Sequence, residues 1–193
     1  MIVWSFIPIP AAAISAVWLV SEIILGRMTR STGPEARQRD RSSLRILWIT
    51  LAAAITVGIY LGLHGIGFIA YGSRIVSIVG LVLIVLGMAL RWVAIATLRR
   101  YFTSNVSIQA GHELVNRGLY RIVRHPSYAG SLLSFLGFGL TFANWLSVLV
   151  IFVPVFCAFL YRITVEEHAL TTHFGDRYTN YCRTTKRLIP GVY

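Results

Sequence analysis

Two segments concentrate the side chains that can do chemistry. One is Arg99–Tyr128, RRYFTSNVSIQAGHELVNRGLYRIVRHPSY, and the other is Arg162–Tyr193, RITVEEHALTTHFGDRYTNYCRTTKRLIPGVY; together they hold four of the five histidines. In the second, Arg162 and Glu166 stand four residues apart, so on a helix they share a face, while Glu167 points about 100° away. An Arg there can clamp a carboxylate or phosphate with two parallel hydrogen bonds. A Glu there can bind a cationic or hydroxyl-bearing cofactor. In the first segment, His125-Pro126-Ser127-Tyr128 reads as a helix start. Proline suits the first helical position, and His125 then lies by unpaired backbone N–H groups that welcome polar ligand atoms.

Each residue also has a plainer role. Arg121 and Arg124 suit anionic headgroups equally well. The tyrosines suit interfacial anchoring. An exposed Arg162–Glu166 pair would be worth only about 0.3–0.5 kcal/mol. Yet an Arg and two adjacent Glu at the junction of bilayer and water are costly to desolvate without a task.

These segments need a scaffold, and composition says which kind. Hydrophobic residues make up 56% of the chain and charged residues 13%, against roughly 25% charged in a soluble domain. Mean hydropathy is +0.69. A soluble exterior, disorder, collagen and a disulfide scaffold are excluded. Met1–Gly26 holds one acid, Glu22; Ile46–Ser73 holds no charge; Ile75–Leu98 holds only Arg91; Pro126–Tyr161 holds none. A spanning helix needs about 20 apolar residues. The first three stretches fit one helix each. The fourth suits a tight hairpin turning at Asn144, with arms of about 17 residues. The sequence therefore predicts an all-α, polytopic membrane protein with about five transmembrane helices. Continuous apolar runs, not alternating ones, argue against a barrel. The first run has no basic n-region and is too long for a signal-peptide core, so a retained helix is expected, with Pro8 and Pro10 kinking or delaying its start.

Charge sets the orientation. The net charge is +11, from 18 basic and 7 acidic residues. Basic residues cluster in Arg27–Arg45, Arg99–His125 and the tail from Arg162, while the connector between helices two and three has only Arg74. Five spans put all three basic segments on one face, the cytoplasmic one, with the N-terminus outside and the C-terminus inside. Four spans would split them. Most of the excess charge is thereby explained without nucleic acid. The hairpin would bring the two chemical segments together as one composite site at the cytoplasmic membrane interface. Arg91 is expected to snorkel, His64 to end a helix, and the glycines of Gly62-Leu-His-Gly65-Ile-Gly67 to serve close helix packing. Cys157 and Cys182 form no metal or CxxC spacing, and a disulfide between them is not expected.

The blocks His112-Glu-Leu-Val115, Gly118-Leu-Tyr120, Arg124-His-Pro-Ser-Tyr128, Arg162-x3-Glu166-Glu167, Phe174-Gly175, Tyr178, Tyr181 and Arg187-Leu-Ile-Pro190 resemble the isoprenylcysteine carboxyl methyltransferase family. That family is related to phospholipid methyltransferases. The likeness runs over roughly residues 91 to 190. It implies a single membrane-embedded domain over 1–193, with N-terminal helices in 1–73 and a catalytic core in 74–193. It implies an enzyme using S-adenosyl-L-methionine, bound in a cytoplasmic cofactor pocket. His112, Glu113, Leu114, Val115, Tyr120, His125, Pro126, Ser127, Tyr128 and Glu166 would then bind that cofactor, and Arg162 would face the methyl acceptor. Glu167 is a further catalytic candidate, with no metal required. The acceptor would be a lipophilic carboxylate of isoprenylcysteine type entering from the bilayer, giving a methyl ester. A sulfonium methyl needs no general base for such a nucleophile, so the protein's work is positioning and desolvation. An amine acceptor, as in phospholipid N-methylation, would need a proton acceptor, with Glu167 and His125 as candidates. The short chain reads as a compact microbial-type member. An NADPH-dependent membrane reductase and a non-catalytic membrane scaffold are the rival readings.

Overall fold

The computed structural model describes residues 9–28, 41–102 and 114–192. They form α1 (Ile9–Met28), α2 (Arg41–His64), α3 (Ser73–Leu98), α4 (Pro126–Thr141), α5 (Trp145–Phe174) and a short α6 (Asp176–Thr184). No strand occurs among the described residues, only two isolated bridges. Among the described residues, three helices are long and apolar enough to cross a membrane: Ser43–His64, Ser73–Leu98 and Trp145–Phe174. Their outward faces stay apolar, as Val57, Val85 and Val153 illustrate.

The hairpin turns where the sequence placed it, but its arms differ. At 16 residues, α4 is only about 24 Å long, short of a hydrocarbon layer of about 30 Å. Helix α5 has 30 residues, about 45 Å, and so carries its last turns beyond any such layer. Small residues set the place of α4. Gly80 and Gly87 of α3 oppose Gly137 and Gly130 of α4 in antiparallel order; a Cβ on Gly80 would lie 2.6 Å from the Gly137 carbonyl oxygen. Ser77 Oγ donates to Thr141 O (3.0 Å) and Ser134 Oγ to Ile84 O (3.3 Å). Small residues let backbones approach closely where a hydrophobic drive between helices is weak. The other face of α4 offers Phe135 and Phe138 to Trp18 of α1, with ring centroids 4.8 and 5.5 Å apart.

At the end opposite the chemical segments, Asn144 is fully buried and caps α5, accepting from Ser147 N at 3.0 Å. Its Nδ2 donates to Leu61 O (3.3 Å) and Ile66 O (2.7 Å). Ile69 N donates to Ala143 O and Trp145 N to Gly67 O, closing the two turns on each other. Asn144→Ala removes a cap worth about 1 kcal/mol and strands buried carbonyls at about 1–3 kcal/mol. The expected loss is about 2–4 kcal/mol, read as an earlier thermal unfolding of detergent-solubilised protein. Asn144→Asp keeps the cap and should fall between.

Two local expectations need correction. Gly62 packs against the Phe142 ring and Gly67 against Leu146 of α5, while Gly65 and Gly67 also form the turn, with φ of 69° and 86°. Arg91 does not snorkel. Its Nε lies 2.8 Å from Glu22 Oε1, and the two side chains are only 13% and 15% exposed. In the interior of a bundle, pairing is cheaper than reaching for water along an occupied path. His64 behaves as a helix-end residue, bonding to Tyr60 O at 2.8 Å and stacking on the Tyr60 ring. Both cysteines are free.

Candidate functional site

The site lies where the chain entering α4 meets the end of α5 and the tail. His125 precedes α4 and Pro126 occupies its first turn. The strand-like run before it is zipped to the tail: Arg124 N donates to Lys186 O (2.7 Å), His125 N to Arg187 O (3.0 Å) and Lys186 N to Ile122 O (3.2 Å). Tyr181 OH adds a bond to Tyr120 O at 2.6 Å. Helix α5 continues unbroken to Phe174 and presents Arg162, Glu166 and Glu167 to this junction.

The two glutamates serve different networks, as their rotation about the helix requires. Glu167 Oε1 accepts from Arg124 Nε (2.9 Å) and lies 3.2 Å from His125 Nε2. Its Oε2 accepts from Arg187 Nε (2.9 Å) and lies 2.8 Å from Arg187 Nη2. An ionised carboxylate only accepts, so Nε2 of His125 carries the proton in this contact. Arg124 Nη1 also donates to the carbonyls of Cys182 (3.1 Å) and Thr185. One carboxylate thus ties three separated pieces of chain together.

Glu166 Oε2 accepts from Tyr128 OH at 2.7 Å. The Arg162 guanidinium also interacts with that hydroxyl. Arg162 is buried, and its Nη1 donates to Ser43 Oγ of α2 at 2.8 Å. The rings of His125 and Tyr128 stack at 5.6 Å, joining the two networks. Tyr120 belongs to the same surroundings: burial first, then the nearby Glu166 charge, holds its hydroxyl above the usual phenol range. It therefore stays a neutral donor at every ordinary pH.

Of the residues singled out from sequence, Tyr120, His125, Pro126, Ser127, Tyr128, Arg162, Glu166 and Glu167 meet in this region. Leu114 and Val115 are half-buried before the turn at Gly118 and enter none of the contacts above. His112 and Glu113 lie outside the described residues. Arg124 is a member of the site and not a headgroup contact; its guanidinium points inward to Glu167 and two carbonyls because the zipped tail closes over it. Arg121 remains exposed. Sequence reasoning missed Ser43 and Glu22, and it quoted Arg187 without a role. A lone serine or a single acid in an apolar run carries no pattern that reveals its partner.

Among the described residues, no group of three or more His, Cys, Asp or Glu is placed to hold a metal ion. The chemistry of the donor set instead suits an organic cation with polar ends. A carboxylate, Glu166, stands beside the aromatic Tyr128, and aromatic faces and carboxylates both favour positive charge.

Comparisons with known proteins point to one family. Residues 79–172 match the model of the isoprenylcysteine carboxyl methyltransferase family. Protein-S-isoprenylcysteine O-methyltransferase B of Arabidopsis thaliana is 39% identical over 119 residues, covering 61% of this chain and 60% of the relative. The Schizosaccharomyces pombe protein-S-isoprenylcysteine O-methyltransferase is 35% identical over 107 residues, covering 48% and 45%. The matched stretch thus spans about 60% of the length of the plant relative. A solved structure of a eukaryotic intramembrane Ras methyltransferase superposes with a TM-score of 0.65 at 24% identity, covering 95% of this chain and 66% of that one. The fold is shared well beyond the matched segment, which begins in α3 and ends in α5. Residues 79–172 are thus similar to the isoprenylcysteine carboxyl methyltransferase family.

Proposed function

We propose that the protein is a membrane methyltransferase that uses S-adenosyl-L-methionine to esterify the carboxylate of a lipophilic, isoprenylcysteine-like acceptor. When bound, that cofactor supplies an electrophilic methyl group on a sulfonium. The cofactor-holding residues would be Tyr120, His125, Pro126, Ser127, Tyr128 and Glu166, with His112, Glu113, Leu114 and Val115 from the preceding segment. Arg162 would orient the acceptor carboxylate. Glu167 would act by holding Arg124, His125 and Arg187 in place.

The observation that favours a carboxylate over an amine acceptor is the state of Glu167 and His125. Amine methylation needs a group to take a proton, and these were the two candidates. Each is already bound to the other, and Glu167 also accepts from two guanidinium groups. A carboxylate so engaged is a weak base. An ionised carboxylate acceptor needs none. The lipid would enter from the bilayer, since the long helices leave apolar faces outward.

The architecture that fits is one membrane domain over 1–193: five membrane-embedded helices, α1 and α2 from the N-terminal part and α3 to α5 from the core beginning near residue 74. By the positive-inside bias of the basic connectors, the C-terminus and the site would face the cytoplasm and the N-terminus would lie outside. Binding of labelled S-adenosylmethionine to the purified protein tests the reading. It should saturate, and Glu166→Ala should abolish it. Tight NADPH binding with none of the methyl donor would favour a reductase and overturn the proposal.

A further inference from the structure

Glu22 sits in α1, outside the matched segment, and nothing in the proposed reaction uses it. Its carboxylate lies 2.8 Å from Arg91 Nε. The same guanidinium turns its Nη1 to Ser127, 3.2 Å from both the backbone oxygen and Oγ. Ser127 is buried and stands between His125 and Tyr128. Those neighbours are the partners of Glu167 and Glu166. The reach is short because Gly130 brings α4 against α3; a Cβ there would lie 2.7 Å from Arg91 N.

A charge pair in a bundle interior carries a desolvation cost that apolar residues of similar volume avoid. As mere packing, Glu22 and Arg91 would be a poor choice. As a fixture, the pair has a use. Arg91 is a rigid fork with donors on two sides. Glu22 fixes one side of it and thereby aims the other at the first turn of α4.

We propose that Glu22 and Arg91 are a positioning pair that sets the first turn of α4, and through it the geometry of the methyl-donor site. The identity of that ligand rests on the proposed function; the pinning of the helix turn does not. The pair acts mainly on donor affinity, because Arg162 is held separately by Ser43 of α2.

The decisive variant is the double replacement Glu22→Leu with Arg91→Met. It removes both charges together, so no unpaired ion is left and folding is retained. Two readouts are taken on the full chain in detergent: the Kd for S-adenosylhomocysteine, and hydrogen exchange at the amides of Tyr128 and Ala129, which bond to His125 O. The expected result is a Kd about tenfold higher, the scale of a lost bond to a charged donor, with faster exchange at those amides and an unchanged KM for the lipid acceptor. Wild-type affinity together with wild-type exchange overturns the proposal. If the unaltered protein binds no S-adenosylhomocysteine but the double variant still exchanges faster, the positioning role stands and the methyl-donor reading falls.

Discussion

Glu167→Gln should unfasten the site and cost more than any neighbouring substitution. Arg124, His125 and Arg187 all converge on this carboxylate. The neutral amide keeps one acceptor oxygen and introduces N–H donors that face other donors. The Arg124 and Glu167 side chains are only 11% and 12% exposed, so little solvent screens the loss. Breaking a buried pair from one side costs about 3–5 kcal/mol. Arg187 is 35% exposed, and Arg187→Met should cost only about 1 kcal/mol, near the range of surface pairs. Arg124→Met falls between, since two tail carbonyls also lose their donor. Thermal unfolding of the solubilised variants should follow that order, with Glu167→Gln lowest. Its methyl-donor affinity should fall too, because His125 loses its anchor. An unfolding temperature for Glu167→Gln at or above that of Arg187→Met would contradict the role of Glu167 as the central tie.

Arg162→Leu should abolish turnover while sparing the methyl donor. Arg162 is buried, held by Ser43 on one side and beside Tyr128 on the other. Removing a charged bidentate partner from a buried anion typically costs about 2–5 kcal/mol. That predicts a fall in kcat/KM for the acceptor of about 30- to 4,000-fold, with donor Kd unchanged within about twofold. Arg162→Lys keeps the charge but not the planar fork, so it should recover little. Ser43→Ala leaves the guanidinium present but less fixed, and should cost about tenfold. Equal loss of donor and acceptor binding in Arg162→Leu would instead make Arg162 a structural residue.

The membrane scaffold was legible because charge is expensive in it. Four charge-poor stretches mark α1 to α3 and the hairpin, and Asn144 marks the turn because an apolar run offers few other residues that can cap a helix. The pairing of the two chemical segments was legible for the same reason: a hairpin returns its ends to one face. The unequal hairpin was half legible. Apolar arms of similar length are present, but α5 runs on through Arg162, Glu166 and Glu167, whose helix-forming side chains extend it. The partners of the buried charges were not legible. Arg91 with Glu22, Arg162 with Ser43 and Arg124 with Glu167 each cross between elements far apart in sequence. Which side chains meet there depends on how α1 crosses α3 and how α5 meets α2 and the entry to α4, which no local pattern around the charged residues reports.

The central claim is ester formation on a lipophilic carboxylate, and the label itself can report it. Purified protein is incubated with S-adenosylmethionine labelled in its methyl group and with a farnesylated cysteine acceptor, and a phospholipid amine in parallel. The account predicts label in the farnesylcysteine lipid phase that mild base releases as methanol, and its loss in Arg162→Leu. Base-stable label on the phospholipid amine, with none on the carboxylate, would contradict it.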